Sequence, residues 1–345
     1  MSEENKKQQT GNMATPAMLV GERKMTLGLF VIKYNALIIL IALIIISSAI
    51  SPIFLSYNNI VNVLRQQTTY LTIGMGLMMC LLTGGIDLSV ASVVGFGSIM
   101  ITEMVTVHDY SVVTAVLVTL ICSAGFGAIN GFLIAYLKMA PFIVTLAMSY
   151  GVMGVAFILT KGANRLLRGS DPLIRGFLYF GQYNDPLFRL PYRIYLTVVI
   201  IVVFWFILKY TSFGRLMTAT GSNPLAASLA GINTKKYRFS ANVICSTLAG
   251  LAGILITAGN GASSPTTVQG DFTMIAIAGA IIGGGDLGGG KGSVPFTVVG
   301  IFIMGLITNI MNLSRVPAYP QWVVKAAVII LAIFMRSIVN TRTSR

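Results

Sequence analysis

Charge is what this sequence has least of. Only 10% of its 345 residues are Asp, Glu, Lys or Arg, against about 25% in a soluble domain. With 55% hydrophobic residues and a mean hydropathy of +0.82, the chain reads as a polytopic membrane protein. Histidine is nearly missing too. The single His108 sits beside Asp109 in a short polar connection, so a histidine-based metal site has nothing to build on. Cys80, Cys122 and Cys245 lie far apart inside apolar segments without metal-ligand spacing, and read as packing thiols. No Ser-His-Asp, Cys-His or HExxH set appears, which argues against a membrane enzyme.

Acidic residues are absent from the centre of every apolar run. Glu3, Glu4 and Glu22 fall in the N-terminal tail, and Glu103, Asp109, Asp171, Asp185 and Asp271 at outer boundaries or loops. Asp87 and Asp286 fall in Gly-rich inner connections. Ion-coupled transporters usually carry intramembrane ionisable groups, so a self-powered secondary transporter is the weaker alternative. The net charge of +14 does not point to nucleic acid, because the basic residues flank apolar spans where orientation explains them.

Runs long enough to cross about 30 Å of hydrocarbon predict an all-α fold of ten spans. They lie near 35–55, 60–82, 88–107, 112–137, 142–160, 194–210, 239–259, 272–284, 294–313 and 320–336. The eighth is short enough to be re-entrant or broken instead. With both termini cytoplasmic, fifteen of the 24 basic residues fall inside, which favours N-in and C-in. Arg65 and Lys325, near outer span ends, then snorkel to the lipid interface. The expected layout is a polar cytoplasmic tail 1–33, a permease domain 34–338 and a cytoplasmic tail 339–345. No small-residue cleavage site follows the first apolar run, so that span is expected to stay in the membrane. The mixed-charge outer loop 161–193 either caps the bundle or receives a soluble partner.

The long polar interruption at 209–238 reads as a built object. Ser222 or Asn223 is a good N-cap, Pro224 suits the first helical position, and Gly231 stands where a left-handed C-cap belongs. A helix of about two turns is marginal alone, so docking is expected to hold it. Two Gly-rich inner connections, 82–92 and 282–293, read as tight turns or hinges. Their marked residues are Gly84, Gly85, Asp87, Ser89, Gly284 and Asp286, and Asp87 with Ser89, or Asp286, is placed to cap the next helix. The second run approaches a phosphate loop but has Gly292 where Ser or Thr is required, and follows a span instead of a strand. Amides and hydroxyls within spans suit either a neutral polyhydroxylated solute or interhelical bonding. These are Gln66, Gln67, Thr68, Thr69, Asn130, Asn242 and Asn309. Gly125, Gly127 and Gly131, like Ala249, Gly250, Ala252 and Gly253, are expected to seat helix on helix.

Four ordered motifs, at 83–92, 129–146, 213–232 and 276–294, resemble the membrane permease of bacterial ATP-binding-cassette sugar importers, of the ribose, xylose and galactose type. The resemblance covers roughly 55–336, with Ala91 standing where the family commonly has Gly. It implies ten-helix subunits paired with a second permease copy or a homologous one, two cytoplasmic ATPases, and an extracytoplasmic sugar-binding protein. ATP and magnesium would sit on the ATPases, with no cofactor in this chain. By that likeness Gly214, Arg215, Gly221, Asn223, Pro224, Ala226, Ala227 and Gly231 couple the permease to its ATPases.

Overall fold

The computed structural model describes residues 27–169, 171–269 and 271–343. Most of the expected N-terminal tail, and the last residues of the C-terminal one, lie outside them. The chain divides into a small unit, Met1–Asn35, and a large one, Ala36–Arg345. Helix α1 (Leu27–Ile50) begins inside the segment expected to be tail, where LGLFVI is already apolar, and breaks its helical geometry at Tyr34. The large unit holds every helix after α1.

Its helices are α2 (Tyr57–Leu82), α3 (Val90–Thr106), α4 (Val112–Ala135), α5 (Pro141–Thr160), α6 (Pro172–Gln182), α7 (Tyr192–Tyr210) and α8 (Ser212–Ser222). They continue as α9 (Pro224–Leu229), α10 (Thr234–Asn260), α11 (Phe272–Ile282), α12 (Val294–Leu313) and α13 (Ala318–Thr343). The fold is mostly helical, with one departure from an all-α chain among the described residues. Strands β1 (Arg165–Leu166) and β2 (Ala262–Ser263) pair antiparallel, with Arg165 opposite Ser263.

Each of the ten stretches expected to span is helical. Among the described residues five helices, α4, α5, α7, α10 and α12, are long and apolar enough to cross a membrane, and Tyr34–Ile50, Val90–Thr106 and Ala318–Leu331 are shorter apolar ones. Helix α2 is long, but its polar run from Arg65 to Thr69 dilutes its hydropathy. Helix α11 has only 11 residues, as short as the sequence implied.

Helix α2 is buried almost continuously from Gln67 to Leu82, so it forms the axis of the bundle. Helix α10 packs against α2, α3 and α4. Side chains are excluded where these helices touch: a Cβ on Gly127 would lie 2.5 Å from the Asn242 carbonyl, and one on Gly253 2.1 Å from that of Val94. Gly125, expected in the same role, has nothing within 4 Å and faces outward. The outer faces of α4 and α5 leave Ile121 69% and Ile158 77% exposed, an apolar surface that suits lipid.

The 161–193 connection is folded. Asp171 caps α6 through the Leu173 N–H at 2.8 Å, and Arg165 pairs with Glu103 at 3.1 Å. Asp185 closes the turn before α7, accepting from the N–H groups of Leu187 (2.8 Å), Phe188 (2.7 Å) and Leu190 (3.0 Å) and from the Tyr195 hydroxyl. Desolvation pushes its carboxyl up, but the bonds from Tyr195, Phe188, Leu190 and Leu187 together hold it below the usual carboxylate range.

Candidate functional site

The polar loop after α7 folds into two short helices. Thr211 caps α8 through the Gly214 N–H at 3.4 Å. Asn223, not Ser222, caps α9: its Oδ1 accepts from the Ala226 N–H at 3.0 Å, and Pro224 occupies the first turn. Gly231 takes φ +79°, and the Ile232 N–H donates to the Ala227 carbonyl at 3.0 Å, closing the helix as a left-handed cap does. Gly214, Gly221 and Ala227 are buried, whereas Arg215, Asn223, Pro224, Ala226 and Gly231 are exposed. So are Leu225, at 71%, and Leu229, at 82%. One turn apart, these two form an apolar pair on a helix that buries only Ala227.

The two Gly-rich turns close in the same way. Gly84 (φ +76°) and Gly284 (φ +93°) donate to the Leu81 and Ile281 carbonyls at 3.0 and 2.9 Å. Gly85 and Gly285 donate to those of Cys80 and Ala280 at 2.9 and 2.8 Å. Their aspartates then differ. Asp87 is fully buried and accepts from the Ser89 N–H at 2.9 Å and from the Ser89 hydroxyl. Asp286 accepts from the Gly288 N–H at 3.0 Å and pairs with Lys291 at 3.7 Å.

Neither aspartate caps the following helix through its side chain, correcting the expectation from sequence. Ser89 makes no capping bond either, and the Ala91 N–H instead reaches Thr273 Oγ1 of α11 at 2.9 Å. Helix α12 starts at Val294 after Ser293, well beyond Asp286, with no side-chain cap.

The loop and both turns meet at one end of the bundle. The Gly290 N–H donates to the Leu82 carbonyl at 3.0 Å. A Cβ on Gly221 would lie 1.8 Å from that carbonyl oxygen and 2.6 Å from the Gly290 nitrogen. The end of α8 therefore rests directly on the backbone of both turns. Beside it opens a cleft of about 570 Å³, lined by Thr83, Gly84, Lys138, Ser228, Arg238 and Asn242 among others.

The polar span residues do not share one site. Gln66 is exposed, while Gln67, Thr68 and Thr69 are buried. Thr68 Oγ1 donates to the Arg65 carbonyl at 2.8 Å, and the Gln67 amide occupies the space left by Gly305. Asn309 makes a reciprocal amide pair with Asn59, at 2.8 and 3.1 Å. Asn130 lies with the first turn, donating to Ser89 Oγ at 3.1 Å, and Asn242 donates to the Arg238 carbonyl at 2.9 Å. Sequence reasoning missed Asn59 and Thr273, whose partners lie 250 and 182 residues away. It also missed the exposure of Leu225 and Leu229.

Residues 59–333 match the family described as branched-chain amino acid transport system / permease component. The ribose import permease protein RbsC of Escherichia coli (strain K12) is 33% identical over 312 residues, covering 89% of this chain and 94% of that one. RbsC of Bacillus subtilis (strain 168) is 33% identical over 296 residues, covering 86% and 90%. The D-allose transport system permease protein AlsC of E. coli K12 is 30% identical over 313 residues, covering 90% and 94%. No solved structure matches. The chain therefore belongs to this permease family, as a multi-pass membrane transport subunit and not an enzyme.

Proposed function

We propose that the chain is the translocating subunit of an ATP-binding-cassette importer for a neutral monosaccharide of the ribose, xylose or galactose kind. The similarity to ribose and allose permeases over most of the chain supports the sugar reading. The observation that carries the coupling reading is α9, a capped helix that presents Leu225 and Leu229 to the outside while α8 behind it rests on both glycine turns. An exposed apolar pair on a six-residue helix needs a partner.

In this reading loop 209–238 faces the cytoplasm, the ten spans run N-in to C-in through a bacterial inner membrane, and tails 1–33 and 339–345 lie inside. Two ATPases hold ATP and magnesium and seat α9. A second permease copy or a homologue completes the pathway, and a sugar-binding protein delivers solute from outside. ATP binding draws the ATPases together, α9 and α8 push on the two turns, and the open side of the pathway alternates. Gln66, Gln67, Thr68, Thr69, Asn130 and Asn309 are the candidates for solute or gating contacts.

Reconstituted vesicles test this. Labelled ribose, xylose and galactose are offered with the binding protein outside and ATP with the ATPases inside. Accumulation that needs ATP, and is lost in Leu225→Asp/Leu229→Asp with the protein still folded, is the expected result. Uptake by the chain alone under a sodium or proton gradient would overturn it in favour of a secondary transporter.

A further inference from the structure

We propose that Cys80, Asp87 and Cys245 form a binding site for a thiophilic divalent cation of the zinc and cadmium kind, with the Ser246 hydroxyl as fourth donor. The site joins α2 to α10 beside the first glycine turn. Cys80 and Cys245 are far apart in sequence, but the fold brings their sulfurs and an Asp87 carboxylate oxygen within 4.8 Å of one another, all three residues buried. Two thiolates on one tetrahedral ion stand about 3.8 Å apart, given metal–sulfur bonds of about 2.3 Å. Closing the set around an ion therefore needs side-chain adjustment of only about an ångström.

Unused donors supply the second observation. Asp87 Oδ1 is held by Ser89, but Asp87 Oδ2 is buried and has no hydrogen-bond partner among the described residues. The same holds for Ser246 Oγ and for Asn130 Oδ1, whose own amide donates to Ser89. Ser246 follows Cys245 directly, and both side chains lie against Asp87 in loose contact, short of a hydrogen bond of ordinary length and angle. Buried polar atoms are ordinarily paired, and the spare Asp87 and Ser246 oxygens beside two thiols are what a cation would use. Carboxylate with sulfur selects zinc-like ions over magnesium or calcium, which take oxygen alone. Binding M²⁺ forms two M–S bonds and two M–O bonds, one to the Asp87 carboxylate and one to the neutral Ser246 hydroxyl, and releases the two thiol protons and any carboxyl proton to water.

An occupied site fixes α2 to α10 at the end where α8 meets Leu82, so it holds the turn that alternation must move. The site does not depend on which solute is carried. The test uses the purified full chain carrying Cys122→Ser, reduced and cleared of metal, titrated with cadmium. Cadmium–thiolate charge-transfer absorption should saturate at one ion per chain, and the ion should survive gel filtration. Cys80→Ser or Cys245→Ser should abolish the band, and Ser246→Ala should weaken binding by about 10- to 100-fold. Should a cysteine variant fail to fold, stoichiometry and retention in the Cys122→Ser chain decide. No band and no retained ion would overturn the site. One cadmium ion per chain still retained through gel filtration in Cys80→Ser/Cys245→Ser, where no thiol is left, would overturn it equally, as an adventitious ion only.

Discussion

Replacing Gly221 by alanine places a methyl group 1.8 Å from the Leu82 carbonyl oxygen and 2.6 Å from the Gly290 nitrogen. Ordinary contact begins at 3.4 Å, so the first approach is short by about 1.6 Å. Both neighbours are backbone, and no rotamer change relieves the clash. Either α8 lifts off the turns or the turns open, at a cost of about 1–3 kcal/mol for a well-packed site. That shifts the equilibrium between seated and lifted α8 by about 5- to 150-fold. Gly231→Ala is the control: its Cβ meets nothing within 4 Å, and only the positive φ of 79° penalises it, by about 1–2 kcal/mol. The assay is ATP-driven uptake in vesicles, with ATPase association measured alongside. Gly221→Ala should cut uptake severely while the ATPases stay bound, because α9 itself is intact. Wild-type uptake in Gly221→Ala would refute the claim that α8 transmits motion by direct backbone contact.

Asn223→Ala removes the bond to the Ala226 N–H and should cost α9 about 0.5–2 kcal/mol; co-purification should show weakened ATPase binding with membrane insertion unchanged, as should Pro224→Gly. Asn59→Leu or Asn309→Leu alone strands a buried amide and should lower stability by about 1–3 kcal/mol. Thermal unfolding of Asn59→Leu/Asn309→Leu should show a smaller loss than the sum of the singles. Asp185 has a lowered pKa, so its contribution to outer-loop order is complete above the unfolded carboxylate value of about 3.9 and is lost as pH falls through the lower folded value. Amide protection factors at Leu187, Phe188 and Leu190, the exchange rates corrected for their intrinsic pH dependence, should be flat above about pH 5 and fall in acid; in Asp185→Asn protection should already be low at neutral pH.

The α9 cap was legible in sequence because its signals are local. Asn223, Pro224 and Gly231 each act on backbone within a few residues. The helical layout was legible for a similar reason, since hydrocarbon thickness sets a length scale that an apolar run either meets or does not, as α4, α5, α7, α10 and α12 do. Helix α6 was not anticipated, because LIRGFLYFGQ is an amphipathic segment too short and too polar to read as a span. Likewise the capping of α3 fell to Thr273 and not to Ser89, a choice made by the packing of α11 and invisible in either turn. Spacing made the three cysteines look unrelated, yet α2 and α10 set two of them side by side. Long-range pairing, more than local chemistry, is what the sequence left hidden.

The measurement that bears most directly on the central claim is an affinity pull-down of the tagged chain from its native membrane, with associated subunits identified and ATP hydrolysis assayed. The account predicts recovery of an ATPase whose association disappears when Asn223–Gly231 is disrupted. A chain that comes down alone under gentle conditions, and still transports in vesicles, would contradict it.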